Sequence, residues 1–242
     1  MRKATINIAR RYDSEDAKRR ILSTCVRMYI ENGYKNTRMV DVIKAADVST
    51  STFHNIFHTK DGVLEVLAEF MLKNQFEIAR QVVGEQANSV MLYAVETSLQ
   101  MTISELNENL REIYLIAYTQ PVISEYIYHE TSALLYKMFG CYLPGYNESD
   151  FYEINIGTAA IMRGYMARPC DIYFSLEKKL QRFLRMTLSA YDVPRSEQET
   201  VIAHIASLDM RQIALQAMQR LFSALEMKYD FKFTDKPIFD DD

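Results

Sequence analysis

The sequence has few of the residues that interrupt helices or build covalent and metal frameworks. Its 242 residues include only 7 Gly and 5 Pro, while 48% are apolar. Few helix breakers and ample apolar material for a core favour an all-helical protein. Cys25, Cys141 and Cys170 lie far apart, and no His or Cys recurs at metal-ligand intervals. We therefore expect neither a disulfide framework nor a metal site.

The sequence also lacks the segments and fingerprints of several other protein classes. No apolar run approaches the roughly 18 residues of a membrane span, and no signal-peptide core follows the first residues. We therefore expect a cytoplasmic protein that does not enter a membrane. GxSxG, P-loop, HExxH and dinucleotide-binding motifs are absent, so we expect neither an enzyme nor a cofactor.

Charge is divided unevenly along the chain. Residues 1–60 contain 12 Lys or Arg against 6 Asp or Glu, whereas the remainder contains 16 against 26. A basic N-terminal part on an acidic body confines attraction for phosphate to one end of the molecule. Arg10 and Arg11 precede the first expected helix, where they form either an arm that reaches DNA or a solvated leader.

Apolar spacing between residues 33 and 64 predicts two short helices joined by a tight turn. Inward-facing residues recur at intervals of three and four: Met39, Val42, Ile43 and Ala46 in the first helix, and Phe53, Ile56 and Phe57 in the second. Val48 lies between the two helices, and Ser49 or Thr50 can cap the second one. This arrangement is typical of a helix-turn-helix DNA reader.

The outer face of the second helix carries short polar side chains: Thr50, Ser51, Thr52, His54, Asn55 and His58. An asparagine can pair in a bidentate fashion with adenine, and hydroxyls can reach bases or phosphates. Lys60 stands beside the N-terminus of the next helix. It is either a phosphate contact or a solvated lysine at an ordinary capped helix start.

The first 65 residues resemble the TetR (tetracycline-repressor) family of bacterial transcription regulators. The resemblance rests on a helix over 16–32 that ends in Asn32-Gly33-Tyr34, on Thr37 followed by Arg38 to Ala46, and on Val48-Ser49-x-x-Thr52-Phe53-x-x-Ile56-Phe57-x-x-Lys60. It implies that Thr50 to Phe57 is the recognition helix. The DNA-binding residues that we expect are Thr37, Arg38, Ser49, Thr50, Ser51, Thr52, His54, Asn55, His58 and Lys60.

Three positions depart from the family pattern. Asp47 stands where the family usually has Gly, at a turn position that is expected to need a positive φ, which Asp tolerates. His54 and Asn55 stand where the family favours tyrosines. The DNA sequence that this chain reads therefore cannot be copied from its relatives.

The rest of the chain is expected to form a helical bundle. We predict helices at about 61–83, 88–105, 108–118, 121–140, 149–168, 175–191 and 196–229. The fold class is thus all-α, with an N-terminal three-helix reader joined to a C-terminal ligand-binding and dimerisation bundle. The expected domains are a reader over 1–60, an effector-binding and dimerisation domain over 61–230, and an acidic tail over 231–242.

Tyrosine is abundant in the middle of this bundle. A buried phenol needs a hydrogen-bond partner, so these tyrosines are either satisfied core residues or walls of a polar cavity. The resemblance implies a pocket for a small-molecule effector. Our candidates for its lining are Tyr93, Tyr114, Tyr118, Tyr126, His129 and Arg163. Arg163 could instead form an interhelical salt bridge.

The resemblance also implies a homodimer formed by the C-terminal helices. Leu180, Phe183, Leu184 and Leu188 form an apolar stripe, which belongs to the core of a monomer or to the four-helix interface of a dimer. The helix at 196–229 either extends that interface or covers the bundle. Small residues near Gly157 and Gly164 would permit close backbone approach between helices.

Together these features predict a homodimeric transcriptional regulator that binds a palindromic operator in double-stranded DNA. We expect a repressor that a small-molecule effector releases. The alternative is an activator, or a DNA-binding regulator that a partner protein controls without a small-molecule effector.

Overall fold

The computed structural model describes the backbone of residues 2–84 and 88–225, with side chains from residue 14 onward in these ranges. The described residues form helices and no strands, which confirms the all-α fold class. The helices are α1 (Arg2–Asn32), α2 (Met39–Ala45), α3 (Thr50–Ile56), α4 (Lys60–Val83), α5 (Ser89–Leu106), α6 (Glu108–Ala117), α7 (Pro121–Phe139), α8 (Glu148–Met166), α9 (Leu176–Ala190), α10 (Arg195–Ser207) and α11 (Met210–Ala224). The expected acidic tail lies outside the described residues. In the described ranges, no helix is both long and apolar enough to cross a membrane.

The helix boundaries differ from the sequence expectation in two places. Arg10 and Arg11 lie within α1, so the expectation that they precede the first helix was wrong. The single helix expected over 196–229 is two helices, because Leu208 is extended and Asp209 caps α11 by accepting a bond from the Gln212 N–H. A side-chain cap of this kind starts a new helix without Gly or Pro.

The first three helices pack around a small apolar core, in which Ile21, Cys25, Val42 and Phe53 are almost completely buried. The guanidinium of Arg20 donates to the carbonyl oxygens of Ala46 and Asp47, at 2.9 and 2.8 Å. These bonds satisfy carbonyls that the end of α2 leaves free. Asp47 has a φ of +51°, which confirms the expected left-handed turn position.

Helix α5 is the centre of the body. It contacts α4 and each helix from α6 to α11, and most of its side chains are buried, including the polar Glu96 and Gln100. A helix surrounded in this way is usually apolar on nearly all sides, but α5 also buries several hydroxyl side chains. Polar groups that remain on it therefore need partners inside the bundle.

The apolar stripe on α9 belongs to the core of the single chain. Leu180, Phe183, Leu184 and Leu188 are only 0–4% exposed, because α9 packs against α5, α8 and α10. Side chains that their own chain already buries have no surface left for a second copy. Their assignment to a dimer interface was therefore wrong, and the monomer-core alternative holds.

Leu184→Ala should lower the free energy of unfolding by about 2–5 kcal/mol, because it leaves a cavity at a fully buried position. Urea denaturation of the purified protein measures the change. Gln181→Ala, at an exposed position one turn earlier on α9, is the control and should change stability by less than about 0.5 kcal/mol. An equally small effect of Leu184→Ala would contradict the core assignment.

Candidate nucleic-acid interface

Helix α3 has polar side chains on its exposed face and a buried phenylalanine on its inner face. Phe53 is buried beneath the helix, while Thr50, Ser51 and Asn55 are exposed on it. The Ser49 hydroxyl accepts a bond of 3.0 Å from the Thr52 N–H and so caps the helix start. The cap and the buried ring fix the helix, and the outer side chains are left available to a ligand.

His54 and His58 are linked at the C-terminal end of α3. Nδ1 of His54 lies 2.9 Å from the carbonyl oxygen of His58, which has a positive φ of +59°. A carbonyl can only accept, so Nδ1 must carry the hydrogen of this bond. In the neutral ring, Nε2 is then an acceptor on an exposed side chain, suited to an amino group on a base edge.

Thr37 and Arg38 are placed differently from each other. Thr37 is only 2% exposed, and its hydroxyl donates to the carbonyls of Met28 and Gly33, at 3.1 and 2.8 Å. Its expected role as a DNA contact is therefore not supported, because the side chain is used inside the domain. Arg38 is exposed, and its Nε donates to Asp41 at 2.8 Å, which lowers the pKa of that carboxyl.

Lys60 also lies inside the domain rather than free on its surface. Its ammonium donates to the carbonyl oxygens of Tyr34 and Thr37 and lies 4.0 Å from the centre of the Tyr34 ring. Partial burial lowers the pKa of Lys60. The expected phosphate contact is thus replaced by a structural role, since two of its three N–H donors hold the turn between α1 and α2.

A surface groove separates α3 from α1. Thr52 and Asn55 line it on one side, and Ser14 and Arg20 of α1 line it on the other. Asn55 therefore faces the same surface groove as the basic side chain of Arg20. Sequence spacing did not reveal this neighbourhood, because it depends on how α1 crosses α3.

The turn after α1 joins the reader to the body. The Tyr34 hydroxyl donates to Oδ1 of Asp61 at 2.6 Å, and the Tyr34 N–H donates to Oε2 of Glu112 at 2.8 Å. Nδ2 of Asn109 donates to the carbonyl oxygen of Ile30 at 2.8 Å. Helix α6 therefore holds the end of α1 through two side chains.

The six expected pocket residues do not share one site. Tyr93 and Tyr118 line a cavity of about 50 Å³ between α4, α5, α7 and α8. Tyr114 lines a second, apolar cavity of about 60 Å³ between α1, α4, α6 and α11. Tyr126, His129 and Arg163 line neither cavity, and His129 is exposed, with Nε2 3.0 Å from Oε1 of Glu125.

Sequence reasoning missed the polar residues of the first cavity. Oε1 of Gln100 accepts a bond from the Tyr118 hydroxyl at 2.8 Å, and Nε2 of Gln100 donates to Oε1 of Glu96 at 2.6 Å. Burial raises the pKa of Glu96 to about 7. The available signal was a Glu and a Gln four residues apart on a helix that is otherwise expected to be apolar.

Lys60→Ala should lower the free energy of unfolding by about 1–3 kcal/mol, because it removes the donor that satisfies two partly buried carbonyls. Urea denaturation measures this loss, and Lys44→Ala, at an exposed position on α2, is the control. The salt dependence of DNA binding provides the opposing test. Unchanged stability with a salt slope reduced by about one would assign Lys60 to a phosphate instead.

In a comparison with known protein families, residues 21–67 match the family described as bacterial regulatory proteins, tetR family. The match runs from α1 through α2 and α3 into α4. No curated protein and no solved structure shows a match to the chain. The family consists of regulators rather than enzymes, so the expectation that this chain is not an enzyme is confirmed. Residues 21–67 form a TetR-family N-terminal helix-turn-helix domain, which supports a DNA-binding transcriptional regulator.

Proposed function

We propose that this regulator is a cytoplasmic, homodimeric repressor that binds a palindromic operator and releases it when a small molecule binds in the body. The proposed domains are the reader at 1–60, the effector-binding and dimerisation domain at 61–230 and the acidic segment at 231–242. The observation that carries the proposal is that α3 exposes a polar face while the ring of Phe53 anchors its inner face in the core.

The chemistry of α3 supports reading of base edges. Asn55 offers a donor and an acceptor together, which suits adenine, while Thr50 and Ser51 offer hydroxyls to bases or phosphates. The proposed DNA contacts are Arg38, Ser49, Thr50, Ser51, Thr52, His54, Asn55 and His58. Helix α3 is short, at 7 residues. Tight and specific binding therefore requires two copies on neighbouring half-sites.

An exposed face of small residues on α8 supports dimerisation. Gly157, Ala160 and Gly164 follow one another at intervals of three and four residues and are exposed, together with Ile156. A Cβ built on either glycine would meet no atom within 4 Å. Such a face lets a second helix approach closely. Met186 of α9, which is 49% exposed and near Tyr165, extends it.

Helix α6 supports coupling between the body and the reader. At one end Tyr118 follows the helix and donates to Gln100 in the cavity, while Asn109 and Glu112 near the other end hold the end of α1. A ligand that displaces Tyr118 would move α6 and tilt the reader. Helix α4 is a second connection, because its Asp61 accepts from Tyr34. By linkage, DNA must weaken ligand binding by the same factor as ligand weakens DNA binding.

Selection of bound duplexes from a random DNA library tests the reader. The wild type should enrich a palindrome, and Asn55→Ala should relax the choice at one base pair in each half-site by about 1–3 kcal/mol, because a bidentate contact is lost. Asn36→Ala, which removes another exposed asparagine outside α3, is the control and should enrich the wild-type sequence. Failure of folded wild-type protein to enrich any motif would favour control by a partner protein.

Gly164→Arg should convert the dimer to monomer, because a long charged side chain would stand between the two small-residue faces. Sedimentation equilibrium measures the assembly state, and the same variant should lose affinity for the palindrome while keeping its helical circular dichroism. Gln181→Arg, on the flank of α9 next to α10, is the matched control and should remain dimeric. An intact Gly164→Arg dimer would place the interface elsewhere.

A further inference from the structure

We infer that the cavity between α4, α5, α7 and α8 is a binding site for a short alkylammonium ion, with Glu96 as its counter-charge. This inference names the ligand class of the effector site, and so its regulatory meaning rests on the function proposed above. It draws on the partners of Glu96, on a second, partly buried glutamate in the same helix, and on the cavity walls.

Glu96 is a buried carboxyl with one hydrogen-bond partner in the part of the chain that the structure describes. It is 3% exposed and accepts a bond from Gln100 at 2.6 Å. Within the described residues, no Lys, Arg or His forms an ion pair with it. A buried carboxylate normally requires a cation or several donors, because desolvation is costly.

Glu105, nine residues later on α5, is a carboxylate whose charge is balanced by neighbouring cations. Lys179 and Arg111 donate to Glu105 at 2.6 and 3.1 Å, and the N–H of Cys170 donates to it at 3.0 Å. The described residues thus supply two cations to Glu105, whose side chain is 10% exposed, and none to Glu96. The difference is that Glu96 faces a cavity, where a ligand can provide the charge.

The hydrogen bonds around Glu96 favour a negative charge at the cavity wall. Tyr118 donates to Gln100, which in turn donates to Glu96. The two hydrogen bonds therefore form a series in which each donor points towards the carboxylate. This direction stabilises the ionised form and disfavours an anionic ligand. A ligand with an ammonium group would complete the site.

The rest of the wall sets the size and polarity of the ligand. The cavity measures about 50 Å³, which is room for about three water-sized groups. Thr97, Thr131, Asn155 and Thr158 add polar groups to the wall. The remaining wall is largely apolar: Leu72, Phe76, Ile127, Leu134, Leu135, Ala159 and Met162. An ammonium group beside Glu96 on a short alkyl chain matches this mixed lining.

The titratable groups that face Glu96 are the phenols of Tyr93, Tyr114 and Tyr118, whose pKa values are all raised by burial. They stay neutral from pH 6 to pH 8. The side chains that α4, α7 and α8 contribute to the wall do not titrate. Burial raises the pKa of Glu96 to about 7, so among the described residues at the site this group alone changes charge in that range. Cation binding should therefore weaken as pH falls through 7.

Calorimetric titration of the full chain with n-alkylamines from methylamine to pentylamine tests the inference. The matching alcohols serve as neutral probes. At pH 8 the amines should bind the wild type more tightly than the alcohols do. The amine affinity should fall about tenfold at pH 6, as the ionised fraction of Glu96 drops from about nine-tenths to one-tenth. Alcohol affinity should not change.

Glu96→Gln preserves the shape of the side chain and removes its charge. It should lower amine affinity at pH 8 at least tenfold and abolish the pH dependence, while Glu77→Gln, at an exposed position on α4, should bind as the wild type does. Equal binding of amines and alcohols, no amine binding, or wild-type affinity and pH dependence in Glu96→Gln would overturn the inference. The wild-type pH comparison remains decisive if the variant does not fold.

Operator binding in the presence of the amine separates this inference from the proposed function. Amine binding that depends on Glu96 but leaves operator affinity unchanged would uphold the cation site and refute effector release. Release of the operator by some other small molecule, without amine binding, would uphold the proposed function and refute the cation site.

Discussion

The connection between reader and body depends on one ammonium group that donates hydrogen bonds to two carbonyl oxygens. Lys60, the first residue of α4, donates to Tyr34 and Thr37 in the turn between α1 and α2. The same turn is held by Asp61 and by Glu112 of α6. Without the ammonium, these carbonyls would lose the donor that ties the turn to the body. The orientation of α3 relative to the body therefore depends on a contact within the protein, which does not involve DNA.

The reader could be predicted from sequence because its signals are local. The spacing of Phe53 and Phe57 gives the buried face of α3, and Asp47 gives the turn. The partners of Lys60 could not be predicted in this way, since the carbonyls that it contacts lie 23 and 26 residues earlier in the chain. A lysine beside a helix start looks the same in sequence whether it meets a phosphate or a carbonyl.

The structure of the body was less predictable, because the burial of its side chains and the position of its cavity depend on packing between distant segments. The spacing of Leu180 and Leu184 shows that one face is buried, but it does not show which chain buries it. The break at Leu208 and Asp209 has no Gly or Pro, so the apolar pattern continues across it. Tyr93 and Tyr118 meet at a cavity only because α5 is surrounded by the other helices. The chemistry of that cavity came from Glu96, a residue that composition alone would place on the surface.

The outer side chains of α3 are separate from the contacts that hold the domain together. Thr50, Ser51 and Asn55 are exposed, and none of their side chains forms a hydrogen bond within the described part of the chain. Replacing them should cost the fold little, whereas replacing Phe53 or Arg20 would disturb it. Under the proposed function, two copies of such a regulator can therefore diverge after gene duplication in the operator that each recognises while both keep the same fold.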